Sequence, residues 1–434
     1  YFAASPENRN STAVRGAVLA PYLEDIFVLL MNGCADTFAE VRKETFETIA
    51  EIVLRMPERI RPATKDLVRA ISPSLCHRHH RIRLAALQAT RVLVPCGASE
   101  AIKEFVAWRD PNMVKISEFF APEAYVNVLA VLVIDRNPSI RKEFFSTLFY
   151  WLSILDDKTE HEGRLLPYLL TGLTDECEEI QRQTFDWMET LGELYEKEHE
   201  DDLKEVKEYL GDMPVQHPDP LPPQFPRRPR MGARILVRKE CGTHGGFLKA
   251  LLAELSSWTS TPKVHAVQLL EVALVYAEEY VTQHTNAILS ALCSACADKE
   301  ISSKIFSCAR LVGRFINPDV YLRLLLPALT DEQSTLAQGD KVCQMQVLSA
   351  ILSGSNADRL LPHFPKVLYA LRHTDIAQCS DYTLRAEAET ALVSLVAACS
   401  RTEEGADEIN KRYRSELADI PSMERWLADH PYTQ

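Results

Sequence analysis

The chain has no long apolar run. Its longest uninterrupted one, Val128 to Ile134, falls well short of the roughly 20 residues that a membrane-spanning helix needs. It lacks an excess of positive charge: the formal net charge is -13, which argues against a general nucleic-acid binder with a basic face. It lacks a disulfide framework. The eleven cysteines are odd in number and scattered, and Cys293, Cys296, Cys308 and Cys343 sit in apolar helical runs, as reduced, buried thiols of a cytosolic protein would. There is no signal-peptide layout and no initiating Met before Tyr1, so the sequence reads as a piece of a longer protein of cytoplasmic location.

Signatures of chemistry are missing as well. Gly242-Thr243-His244-Gly245-Gly246 has neither the G-x-G-x-x-G spacing nor the lysine of a phosphate loop, and reads as a loose helix start. No G-x-S-x-G elbow is present. In Cys76-His77-Arg78-His79-His80, adjacent ligands on one turn cannot all face one metal, and no second pair lies at finger-like spacing. With Arg81 and Arg83 it reads as a basic turn between helices, structural or used for docking. Cys293 and Cys296 form a C-x-x-C, but inside an apolar helix, where a redox pair would not sit. The carboxylate pairs Glu178-Glu179 and Glu278-Glu279 read as exposed helix ends. No catalytic residue, cofactor or metal site is expected. No β-hairpin turn signal appears.

What the sequence has is a repeat. In the stretch from Phe119 to Leu155, a short apolar lead precedes Pro122, and an apolar segment runs from Tyr125 to Ile134. Asp135 and Arg136-Asn137-Pro138 follow, then Ile140-Arg141 opens a second amphipathic run. Two helices joined by a tight turn fit this pattern, with Asn137 as N-cap and Pro138 at the first helical position. Copies recur: Asp36 before Val41-Arg42, His77 before Ile82-Arg83, and Asp175 before Ile180-Gln181. The β-branched residue steps by 41 (Val41 to Ile82), 58 (Ile82 to Ile140) and 40 (Ile140 to Ile180). A basal step near 40 suits helical hairpins of the HEAT or armadillo kind. The long step implies an insertion, placed at Ser99 to Asn112.

An acid in the turn can satisfy the free N–H groups of the second helix, and the following arginine points to the same edge. Asp36, Arg42, Arg83, Asp135, Arg141 and Asp175 are therefore expected to form a structural ladder between repeats; a ligand site is the other reading. The expected fold is all-α, an α-solenoid of HEAT-like hairpins. It is divided into a first array at 1–212, a proline-rich linker at 213–231, and a second array at 232–434 that continues the solenoid.

The linker holds seven prolines between Met213 and Met231 and ends in Arg227-Arg228-Pro229-Arg230. Such density excludes a helix. It reads as a semi-rigid connector outside the helical stack, or else as a docking ligand for an aromatic groove. Candidate protein-binding residues are Arg227, Arg228 and Arg230, the turn residues Arg78 and Arg81, and Phe149 and Trp151. The last two belong to an aromatic cluster with Phe144, Phe145 and Tyr150 that exceeds what one buried stripe needs.

One stretch carries a family likeness. It includes Gly232-Ala233-Arg234-Ile235-Leu236-Val237-Arg238, Trp258 with Lys263-Val264 and Gln268-Leu269-Leu270, Tyr276-Ala277-Glu278-Glu279-Tyr280-Val281-Thr282-Gln283-His284, and Phe315-Ile316-Asn317-Pro318-Asp319-Val320-Tyr321-Leu322. Together these resemble the HEAT-repeat dynein axonemal assembly factors. The resemblance implies a non-enzymatic cytoplasmic scaffold that builds dynein arms before their transport into cilia or flagella. The partners it implies are axonemal dynein chains, other assembly factors and chaperones, with no nucleic acid and no membrane. A HEAT-repeat transport receptor or phosphatase-type adaptor is the alternative with the same architecture.

Overall fold

A computed structural model of the chain describes residues 20–107, 109–114, 125–201, 203–204, 219–242, 246–255, 260–330 and 338–430. The lead Phe119 to Pro122, the linker residues Met213 to Pro218, and Trp258 lie outside the described residues. Two compact units divide between Leu191 and Gly192.

Unit 1 is built from antiparallel helix pairs. They are α1 (Leu23–Cys34) with α2 (Ala39–Arg55), α3 (Thr64–Ile71) with α4 (His80–Ala107), α5 (Val128–Val133) with α6 (Pro138–Ile154), and α7 (Glu162–Thr171), which leads into α8 (Glu178–Glu198). First helices pack on first helices (α1 on α3, α5 on α7), and second helices on second helices (α2 on α4, α4 on α6). This is the HEAT-type arrangement, in which the apolar face of each hairpin is covered by its neighbours.

Local sequence explains the elements. Asn137 caps α6 by accepting the Ser139 N–H, with Pro138 in the first turn. Ile140, Phe144, Leu148 and Leu152 step by four along α6 and are all buried. In α4, Pro95 lies inside the helix and cannot donate to the carbonyl of Arg91. That carbonyl instead accepts the indole N–H of Trp151 at 2.9 Å, which ties α4 to α6.

Two expectations about this region are corrected. The helix expected from Tyr125 begins only at Val128, because Tyr125–Asn127 is a strand, β2. It pairs antiparallel with β1 (Arg109–Val114), so a short two-stranded sheet interrupts the all-helical pattern. The insertion also starts later than Ser99, since α4 runs on to Ala107.

Unit 2 begins inside α8. Its end belongs there because Glu196 holds Arg230 at 3.1 Å and accepts the Gly232 N–H at 2.8 Å. A helix not read from the sequence, α9 (Met231–Gly242), comes next. The hairpins follow as α10 (Phe247–Leu255) with α11 (Ser260–Ala277), α12 (Thr285–Ala295) with α13 (Ser302–Phe315), and α14 (Pro318–Thr330) with α15 (Gln338–Gly354). Then α16 (Phe364–Leu371) pairs with α17 (Tyr382–Cys399), before α18 (Glu403–Ala418) and α19 (Glu424–Asp429). The two layers recur: α10, α12, α14 and α16 pack in succession, as do α9, α11, α13, α15 and α17. No described helix is long and apolar enough to cross a membrane.

Candidate protein-interaction surface

The hairpin turns of unit 1 are built in the same way. In unit 1, the side chain of the turn residue accepts the backbone N–H two positions on: Asp36 from Phe38, His77 from His79, Asp135 from Asn137, and Asp175 from Cys177. Six positions on, a long polar side chain reaches back to the turn residue's own carbonyl: Arg42, Arg83, Arg141 and Gln181. These acids therefore close the turn, and the helix cap is a different residue, Asn137 in the case of α6. Asp298 repeats the motif in unit 2 by accepting the Glu300 N–H.

The arginines then reach the next repeat. Arg83 grips Asp135 with both donors, Nε at 2.6 Å and Nη2 at 2.7 Å. Arg141 grips Asp175 at 2.6 and 2.8 Å. Both are planar forks on a carboxylate, with Asp135, Arg141 and Asp175 all buried. The hydrogen bond to Asp175 raises the Arg141 pKa, and desolvation opposes it. Arg42 faces no carboxylate among the described residues. Its neighbour in the next turn is His77, whose pKa is pushed down by burial and then by the charge of Arg42. A neutral imidazole can still accept the N–H, but it adds no charge pairing. Lys263 extends the pattern in unit 2, lying 3.4 Å from Asp298.

The candidate binding residues fare differently. Arg78 is exposed on the turn before α4, and Arg81 is exposed in the first turn of that helix. Phe149 is half-buried, stacked on Trp187 with ring centroids 5.6 Å apart. Trp151 is fully buried, edge-on to Phe105, so it belongs to the core; the Pro95 gap in α4 consumes its only polar atom.

The proline-rich segment is corrected too. Its described part, Asp219 to Arg230, lies docked along unit 2. Arg401 holds Asp219 at 2.9 Å. Gln224 donates to Glu271 at 3.2 Å. Phe225 is buried edge-on against Tyr276. Arg228 forks onto Glu278 at 2.7 and 2.8 Å, and Arg230 reaches Glu193 and Glu196. The segment thus runs from the end of α17 back towards α9, against the order of the hairpins. Arg228 and Arg230 serve as its anchors and are not free docking groups; Arg227 is exposed.

The residue that sequence reasoning misplaced most is Glu278. It is 2% exposed and accepts from Arg228, Arg234 and Arg238. Its φ of 51° lies in the left-handed region, at a cost of roughly 1–2 kcal/mol for a non-glycine residue. The bend ends α11 and turns the carboxylate inward. Burial raises its pKa, but the Arg228 hydrogen bond and the charges of Arg234, Arg228 and Arg238 outweigh this and leave it below the ordinary value. Its three arginine partners lie 50, 44 and 40 residues away in sequence, so no local signal marked it. Glu279 remains largely exposed. Sequence reading also missed three apolar side chains of the first hairpin, Leu29, Phe38 and Leu54, each about 70% exposed.

Burial raises the thiol pKa of Cys293 and of Cys296 to about 12. Among the described residues no group of three metal-ligating side chains converges.

Stacked helical hairpins with an inter-repeat turn ladder define a helical-repeat protein of the HEAT class. The family model described as "Dynein axonemal assembly factor 5, HEAT-repeat domain" matches residues 220–412. A second, "Dynein axonemal assembly factor 5-like, TPR repeats", matches residues 9–108 and 112–206. The chain belongs to the dynein axonemal assembly factor 5 family. Curated relatives of that name are 27% identical in Xenopus laevis (89% of this chain, 42% of the relative) and 29% identical in Homo sapiens (88% and 41%). The chain therefore spans about two fifths of the length of the curated relatives it matches. Among solved structures, an importin beta crystal structure aligns at 12% identity and TM-score 0.34, over 94% of this chain and 51% of that one.

Proposed function

We propose that the chain is a non-enzymatic, cytoplasmic scaffold for the preassembly of axonemal dynein arms. It would hold dynein subunits together with other assembly factors and chaperones for cilium or flagellum motility. Family membership along nearly the whole chain carries the reading. The architecture supports it: stacked hairpins present many exposed turns and helix faces, and the buried charges are spent on fixing repeats to one another. Arg78 and Arg81, exposed where a basic turn enters α4 in an acidic chain, are the proposed contact points for an acidic partner segment, and Phe149 is a separate apolar candidate.

The test is affinity capture of the tagged chain from a ciliating cell, read by mass spectrometry. Axonemal dynein heavy or intermediate chains should be recovered, and Arg78→Glu with Arg81→Glu should reduce their yield while the fold is retained. Recovery of transport cargo or phosphatase subunits, without dynein chains, would contradict the proposal.

A further inference from the structure

Within unit 2, the docked proline-rich segment, α13, the end of α15 and the residue Arg401 beyond α17 enclose a cavity of about 360 Å³. Two glycines shape it. A Cβ on Gly313 would lie 2.0 Å from the Ile351 carbonyl oxygen, and one on Gly354 2.1 Å from that of Arg310. α13 and α15 therefore meet backbone to backbone, which brings Arg310 and Arg314 beside the end of α15.

Three guanidinium groups line this space: Arg310, Arg314 and Arg401. Two are fixed in place. Arg314 donates to the backbone carbonyls of Asp219 at 2.8 Å and Pro220 at 3.2 Å. Arg401 donates to the Ser353 carbonyl at 2.6 Å and to the Asp219 carboxylate at 2.9 Å. Arg310 is exposed and belongs to the cavity lining, and among the described residues its guanidinium has no hydrogen-bond or ion-pair partner. Carbonyl oxygens orient a guanidinium without neutralising it. Against three cations the lining supplies one carboxylate, Asp219, so two positive charges remain in a chain of net charge -13.

We propose that this cavity binds a phosphate monoester group. Guanidinium forks match phosphate oxygens in pairs. A phosphate monoester carries nearly two negative charges at neutral pH, which balances the residual charge. Arg314 and Arg401 are already ordered, so binding need immobilise only Arg310. The volume falls within the range of small-molecule sites, roughly 300–1,000 Å³, and so admits the phosphate and the carbons that bear it. Asp219 is the resident anion on Arg401, and a bound phosphate takes over part of that contact. The inference stands independently of which proteins the scaffold holds.

The test is isothermal titration of the full chain at constant ionic strength with O-phosphoserine, inorganic phosphate, serine and chloride. Saturable binding of a phosphate compound but not of serine or chloride is expected. Arg310→Gln should weaken it at least about tenfold, since charge-assisted hydrogen bonds are lost, and Arg310→Lys should retain part of it. Because the Arg310 head group makes no protein bond, the unfolding midpoint of both variants should match that of the parent chain. Tighter binding of O-phosphoserine than of inorganic phosphate supports the monoester assignment, and equal or tighter binding of inorganic phosphate would overturn it. Absence of saturable heat from either phosphate compound would overturn it, as would equal heat from chloride or unchanged affinity in Arg310→Gln.

Discussion

At the scale of single residues, the two units bury charge differently. Unit 1 uses one arginine per carboxylate, in forks between successive turns. Unit 2 gathers three arginines on one carboxylate, Glu278. The forks show a gap at His77, where Arg42 meets an imidazole in place of an acid. His77→Asp should complete that rung and raise stability by about 1–2 kcal/mol, the worth of charged hydrogen bonds at a partly buried site; urea melts of the two proteins measure it. An unchanged or lowered midpoint would mean that the forks do not couple repeats. Glu278 makes a different prediction. Its folded pKa is depressed below the usual 4.5, so the unfolded chain takes up a proton more readily than the folded one. The stability it provides is present above pH 4.5 and is lost as pH falls through the lower folded value. Thermal melts from pH 7 to pH 3 should show this loss for unit 2, and Glu278→Gln should be less stable at pH 7 with a flatter acid limb. Parallel acid limbs in the two proteins would remove Glu278 from its assigned role. Arg83, Asp135, Arg141 and Asp175 could be singled out in the sequence because a repeat displays them at fixed spacing. Glu278 could not, because next to Glu279 it has the look of an exposed helix end. Only the left-handed bend at residue 278 turns it inward, and nothing in residue type announces that bend.

At the scale of elements, helix pairs were legible wherever apolar residues recur at helical spacing between turn residues. Helix α6, for one, starts at the Asn137-Pro138 signal. The elements that were not legible depend on tertiary contacts. β1 carries Asp110-Pro111, which reads as a break, and β2 is only three residues long. The proline-rich segment is extended, as its composition requires, but its place along unit 2 is fixed by Phe225 against Tyr276 and by Arg228 on Glu278, contacts 50 or more residues apart in sequence. A docked segment should resist proteolysis, since cleavage needs local release of the backbone. Limited trypsinolysis should therefore spare the bonds after Arg227 and Arg230 in the parent chain, and Glu278→Ala should make them early sites. First cuts at these bonds in the parent chain would contradict the docked arrangement.

At the scale of the whole molecule, the account rests on repeats that must be folded together to present their surfaces. The family relation supplies the biological setting, and the proposed mechanism is that the stack holds several partners at once. Thr147 lies buried in the middle of α6, within the hairpin that ties α4 to the turn of α8. Proline at this position removes a helix hydrogen bond and costs about 3 kcal/mol or more locally, which should uncouple the repeats on either side. The most direct measurement is the occupancy of dynein arms on axonemes in cells that lack the protein and are rescued with Thr147→Pro at normal abundance. The account predicts axonemes depleted of arms, with dynein heavy chains made but unstable in the cytoplasm. Full arm occupancy, with that hairpin shown to be unfolded, would contradict the scaffold mechanism.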